Sequence, residues 1–253
     1  MDHQDYLGNS LSKIAFEKLS IFNNKSINFI NYQKPTVKRF AKDFINKKKM
    51  HAQFAGVDWK IRNQLYIDQD HKINLKYLSL KGYHQFDNAG LAIAAVKSIL
   101  KKQFDSNLVE NALPKIRWAG RLQKIESGKL TKVIYKYDSI FLDGFHNTDG
   151  VKVFINNLKG KNNFLICSFL INKNYKNILK LLEPYFKKIF VTPMEEENSI
   201  QVVNVNKTNK INTSSGLLKS IDDLNRVATS NSTIYFGGSL YFIGEVLKFN
   251  KKK

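Results

Sequence analysis

Six side chains in this sequence could do chemistry together: His3, Lys18, Asn88, Arg121, Asp143 and His146. Asp143 stops the apolar run of "SIFLDG", and His146 follows it within "FLDGFHN". A carboxylate where a strand leaves a sheet can hold a hydroxyl or orient a cation. It can equally cap the helix expected over 148–158, and the local sequence leaves both open. Arg121, in "WAGRLQ", follows a glycine, and its planar fork suits a phosphate. Lys18 shares a face with Leu11, Ile14 and Ala15 at helical spacing. A bare ammonium on an apolar stripe costs several kcal/mol unless it is paired or chemically altered. Burial frees a neutral amine, which can take up carbon dioxide as a carbamate and so serve a metal. The plainer alternative, favoured by the local pattern, is a lysine reaching past its helix end to water. Asn88 sits behind the loop "GYHQFDNAG", where its amide can read a purine edge or cap a helix. His3, beside Asp2, is either a metal ligand or a solvated terminal imidazole.

These residues need elements to position them. Residues 10–21 read as a helix, "SINFINY" as a strand, and Pro35 leads a helix carrying Val37, Phe40, Ala41 and Phe44 on one face. Strands are expected over 51–80, with "DQDH" as a hairpin turn. Asp87 is the expected N-cap of "NAGLAIAAVKSIL", and "NLVENAL" is a second helix ending at Pro114. Beyond this, "SIFLDG", "NFLICSFL", "KKIFVTP" and "STIYFG" alternate with helical stretches, including the closing "SLYFIGEVLKF". That rhythm predicts an α/β fold with a mostly parallel sheet covered on both faces. The boundary between two domains is expected near Pro114 to Trp118.

Composition narrows the field. The formal net charge is +20, but arginine supplies only five of the 41 basic residues, and asparagine reaches 27. The lysines are scattered, whereas nucleic-acid readers tend to cluster arginine on one face. A solvated surface is therefore the preferred reading, with a basic nucleic-acid-binding protein as the distant alternative. One cysteine, Cys167, excludes an internal disulfide and fits a reducing compartment. No apolar run is long enough to span a bilayer, so a cytoplasmic protein without membrane partners is expected.

Five ordered stretches, "DHQDYLGNSLSKIAFEKLSIF", "GYHQFDNAGLAIAA", "WAGRLQ", "FLDGFHN" and "GGSLYFIGEVL", together resemble the folylpolyglutamate synthase / dihydrofolate synthase family of the Mur ligase superfamily. They run from residue 2 to residue 248. The resemblance implies an ATP- and Mg2+-dependent ligase of folate biosynthesis and one-carbon metabolism, in the EC 6.3.2 class. Such an enzyme joins L-glutamate to dihydropteroate or (tetrahydro)folate through an acyl-phosphate intermediate. It further implies that residues 1–115 are the C-terminal part of the central ATPase (Mur ligase middle) domain, and residues 116–253 the Rossmann-like C-terminal domain. By the same resemblance His3 is a magnesium ligand, and Lys18 is the carbamylated lysine. Asn88 contacts the nucleotide, Arg121 reaches its phosphates, and Asp143 and His146 meet it from the second domain. "EKLSI" and "DGFHN" depart from the family's usual Glu-Lys-Ala-Gly-Ile and Asp-Gly-Ala-His-Asn, with the reactive residues retained.

One departure matters more. The family's phosphate-binding loop, G-x-x-x-x-G-K-[ST], occurs nowhere among the 13 glycines here. Without its backbone N–H groups the other residues cannot fix ATP for transfer, so the isolated chain is expected to be inactive. It then reads as the later part of a longer ligase, as a subunit needing a separate P-loop-bearing chain, or as a remnant. Residues 1–115 would form part of a split sheet with an exposed edge.

Overall fold

In the computed structural model, residues 10–251 are described. The chain divides into two compact units, with the break between Arg117 and Trp118.

The first unit starts with α1 (Leu11–Leu19), capped by Ser10, whose hydroxyl accepts from Lys13 N–H. β1 (Asn28–Ile30) leads through α2 (Pro35–Lys47), with proline at its first position, to β2 (Ala52–Phe54), which pairs with β1 in parallel. Leu19, Ile30, Ala41, Ile45 and Phe54 make one buried cluster there. β3 (Lys60–Arg62), β4 (Leu65–Ile67) and β5 (Lys72–Asn74) form an antiparallel sheet. Its expected "DQDH" turn is present: Asp68 Oδ1 accepts from the Asp70 and His71 N–H groups, and Oδ2 from Tyr66 Oη and Lys97 Nζ. α3 (His84–Leu100) and α4 (Ser106–Ala112) complete the unit. Trp59, Tyr66, Ile73, Leu75 and Ile93 fill a second cluster.

One expectation fails in this unit. α3 begins at His84, so Asp87 lies in its first turn and does not cap it. Asp87 still complements the N-terminal end of the helix dipole. α1 buries Ala15 and Leu19, and Lys18 is exposed, in keeping with the plainer alternative of a lysine that reaches water. The stripe that docks is therefore 15–19–22, with Phe22 half-buried against the same cluster and Phe16 edge-on to Phe44.

The second unit is a six-stranded α/β sheet. In chain order it comprises β6 (Gln123–Ile125), α5 (Leu130–Val133), β7 (Ser139–Asp143), α6 (Thr148–Ile155), β8 (Asn163–Ser168), α7 (Tyr175–Leu182), β9 (Lys188–Val191), β10 (Ile211–Thr213), α8 (Leu217–Asn225), β11 (Thr233–Gly238) and α9 (Leu240–Lys251). The strand order is β10-β9-β8-β11-β7-β6, parallel throughout except for β6 at the edge. β8 and β11 are buried at every residue, as strands covered on both faces must be. Alternation along β8 sends Phe164 and Ile166 to the face covered by Ile221, Leu224, Phe242 and Val246. Leu165 and Cys167 face Val151, Phe154, Ile178 and Leu182 instead. The sheet is thus mostly parallel and sandwiched, as the sequence rhythm predicts.

Candidate functional site

β7 lies between β11 and the edge strand β6, and its last residue is Asp143. Open α/β sheets take their ligands at this carboxyl edge. Asp143 is not the helix cap: Asn147 caps α6, its Oδ1 accepting from Gly150 N–H at 2.8 Å. The Asp143 carboxylate turns instead to the incoming chain, where Oδ2 accepts the Leu122 N–H at 2.8 Å. Burial pushes its pKa up to about 6, while the Leu122 bond and the Arg121 charge pull the other way.

The segment 120–122 is bent to make that contact. Gly120 has φ +70° and Leu122 has φ +45°. The left-handed region is costly for a branched side chain, and such strain collects at functional sites. Gly144 N–H donates to Gly120 O at 2.8 Å, and Arg121 Nη1 donates to Gly144 O at 3.0 Å. Two short segments, 120–122 and 143–144, are thereby clasped, with the arginine laid across the strand end. A side chain at Gly144 would strike Leu240, so the close approach requires glycine. His146 is half-buried in the turn between this clasp and α6.

The structure therefore brings Arg121, Asp143 and His146 to one loop cluster of the second unit. Asn88 and Lys18 belong to the first. Asn88, the fifth residue of α3, is exposed, and its Nδ2 donates to the buried Gln85 Oε1 at 3.2 Å. Lys18 is exposed on α1, and His3 lies outside the described residues. Sequence reasoning missed the parts played by the Leu122 N–H and by Gly144. The glycines at 120 and 144 were the available signal. A further polar group, Asp68, Asp70 and His71, has ligand atoms close enough for a cation. There Lys97 Nζ already supplies the positive charge, at 2.9 Å from Asp68 and 2.7 Å from Asp70. Among the described residues no helix is long and apolar enough to cross a membrane.

A mainly parallel α/β sheet with a strained polar clasp at its carboxyl edge places the second unit in the class of ligand-binding doubly wound domains. No family model matches the chain. In sequence and fold the chain is similar to folylpolyglutamate and dihydrofolate synthases. It is 23% identical over 274 residues to the dihydrofolate synthase/folylpolyglutamate synthase of Bacillus subtilis, covering 98% of this chain and 60% of that protein. With the Mycobacterium tuberculosis enzyme of the same description it shares 27% over 218 residues, 76% of this chain and 42% of that one. The solved Mycobacterium tuberculosis folylpolyglutamate synthase complexed with ADP superposes with a TM-score of 0.82 at 21% identity, over all of this chain and 62% of that one. E. coli FolC in complex with DHPP and ADP gives 0.78 at 18% identity, over 98% of this chain and 58% of that one. The chain thus spans 60% of the length of the Bacillus relative.

Proposed function

We propose that this chain serves an ATP-dependent acid–amino-acid ligase that adds glutamate to dihydropteroate or (tetrahydro)folate through an acyl phosphate. The observation that carries the reading is the clasp of Arg121 and Asp143 at the carboxyl edge of β7, in a homologue of enzymes solved with ADP. ATP with Mg2+ supplies the phosphoryl group that activates the acid and the charge that offsets the phosphates.

The residues at the clasp fit a nucleotide. Leu122 occupies Asp143 Oδ2, so Oδ1 is the oxygen left to accept a ligand hydroxyl. Arg121 spends Nη1 on Gly144 O, which orients the guanidinium, and its other N–H groups are donors of the kind that suit phosphate oxygens. His146 adds a ring nitrogen at the same turn. Asn88, whose Nδ2 is steadied by Gln85, keeps its Oδ1 for a purine amino group. Lys18 is the residue for carbamylation and His3 the magnesium ligand in this reading. A P-loop-bearing polypeptide completes the phosphate site, because the 253 residues contain no G-x-x-x-x-G-K-[ST].

The test is glutamate ligation with labelled glutamate, MgATP and either dihydropteroate or tetrahydrofolate. The full chain is assayed alone and mixed with the part of the Bacillus subtilis relative that lies outside its match to this chain. Product from the mixture, none from the chain alone, and none with Arg121→Ala is the expected result. Absence of product from a mixture that forms a stable complex, or undiminished turnover with Arg121→Ala, would defeat the reading.

A further inference from the structure

The second unit distributes its charge unevenly. Residues 144–193 and 204–211, which build α6, β8, α7, β9 and the approach to β10, carry ten lysines and only two carboxylates, Asp149 and Glu183. The other residues from 118 onward hold eleven basic groups and nine carboxylates. A general excess of lysine would spread over the whole unit and would not clear carboxylates from one side of it. α6 and α7 lie next to each other on the sheet face filled by Val151, Phe154, Ile178 and Leu182. Lys152, Lys176 and Lys180 stand exposed on these helices, and Lys159, Lys161 and Lys187 are exposed beside the strand starts. Lysines that are scattered in the sequence thus gather on one side of the fold.

The same side carries a hollow. A cavity of about 240 Å³ opens between α7 and the 206–208 loop. Its floor is apolar, made by the buried Leu179 and Ile211. Its rim is polar, with Lys176 and Lys180 one helical turn apart and the exposed amides of Asn177 and Asn206. The carboxylate at the rim, Glu183, already accepts the Thr208 hydroxyl. Neither Lys176 nor Lys180 has a carboxylate partner among the described residues. Tyr185, half exposed, stands just past the end of α7. The cavity adjoins the edge strand β10, and β9, β8 and β11 separate that strand from β7, so this is not the Asp143 clasp.

We propose that the α6/α7 side of the second unit binds single-stranded nucleic acid, with phosphates on the lysines and one unstacked base in the cavity beside β10. Charge complementarity selects a polyanion. The cavity selects among polyanions. It is smaller than the ~300–1,000 Å³ of drug-sized sites and suits one flat ring system. The apolar floor takes the face of a base, and the Asn177 and Asn206 amides offer donors and acceptors to its edge. Acidic side chains have no such ring, and a lipid headgroup surface has nothing flat to insert. A duplex keeps its bases stacked, so the strand is single, and Tyr185 is a platform for a second base. These segments contain no arginine, so phosphates meet point charges and no bidentate reading of bases is built in. Binding is therefore strongly salt-dependent and nearly independent of sequence. The proposal stands apart from the ligase reading.

Fluorescence anisotropy of the full chain with a labelled oligouridylate of about 12 nucleotides tests this. The association constant should fall with salt along a log–log slope of roughly −3, the value for about four single-strand phosphates. Lys176→Glu combined with Lys180→Glu should weaken binding roughly tenfold or more at about 0.05 M salt. The same reversal at exposed lysines on the other face of the sheet, Lys132→Glu with Lys136→Glu, should change it less than about threefold. Asn177→Ala with Asn206→Ala should weaken it by about threefold to tenfold and leave the salt slope unchanged, because no phosphate contact is lost. Equal losses from the two lysine pairs would reduce the effect to net charge and overturn the proposal. So would a slope shallower than about −1, or an asparagine pair without effect. Phosphatidylserine vesicles or polyglutamate that displace the oligonucleotide at equal charge would assign the surface to a bilayer or an acidic chain. Uridine monophosphate that competes equally per nucleotide would make the cavity a mononucleotide site. Either result overturns the proposal.

Discussion

Replacing Asp143 by asparagine should stabilise the second unit above neutral pH and abolish the pH dependence this group imparts. The folded unit holds the Asp143 carboxyl at about 6, against an ordinary 3.8, chiefly because burial penalises the charged form. A raised carboxyl pKa contributes stability that is fully present below the unfolded value and is lost as pH rises through the folded one. The whole shift corresponds to about 3 kcal/mol, of which ~1.4 kcal/mol falls between about pH 5 and about pH 7.5. Asparagine keeps the shape and an oxygen for the Leu122 N–H but has no charge to bury. In Asp143→Asn the stability of the second unit should therefore lack this decline, and at about pH 7.5 the variant should be the more stable by up to about 3 kcal/mol. The measurement is urea-dependent hydrogen exchange at the amides of Ile234, Tyr235 and Phe236, which lie on the central strand β11 and report opening of the whole sheet. Carbon-13 NMR of the Asp143 carboxyl should show a midpoint near 6. Equal pH slopes in the wild-type and variant chains, or an Asp143 that titrates near 3.8, would refute the reasoning. A more stable chain with weakened nucleotide binding would be the signature of a residue kept for its site at the expense of the fold.

Further outcomes are expected elsewhere. Asp68→Asn removes the carboxylate that anchors the β4–β5 turn, Tyr66 and Lys97, and should cost about 1–3 kcal/mol at neutral pH by chemical denaturation of the first unit. Asp68 is held down to about 2 by Lys97, Tyr66 and the turn amides against the opposing effect of burial, so its contribution should be present above about pH 4 and vanish as pH falls through about 2. Gly144→Ala drives a methyl into Leu240 and should lower the stability of the second unit by about 1–3 kcal/mol and disturb the Leu122 amide resonance. An unchanged Leu122 resonance in a folded variant would show that the clasp tolerates the bulk.

The parallel core was legible because its strands read as apolar runs with no alternation. "NFLICS" and "TIYFGG" could only be covered on both faces, and both are. Asp143 was legible for the same reason, as the first charge after such a run, but its two possible uses were not separable. The choice depends on Leu122, which reaches Asp143 from 21 positions earlier in the chain through a left-handed backbone turn. The docking face of α1 was not legible, because the helix carries two overlapping stripes, 11–14–15–18 and 15–19–22, and only the packing of α2 decides which one is buried. β6 and β10, three residues each, were not anticipated, since pairing with a neighbour rather than local pattern makes them strands.

β11 occupies the middle of the six-stranded sheet although every other strand of that sheet precedes it in the chain. During synthesis, β8 and β7 must therefore wait with facing edges unsealed until residues 233–238 emerge and slip between them. The nascent second unit can assemble only as two half-sheets, and closure is a late, long-range event. A ribosome stalled just before Thr233 should hold an unjoined, sticky pair of fragments, and a chaperone bound at that moment would protect the one seam on which the lobe's completion depends.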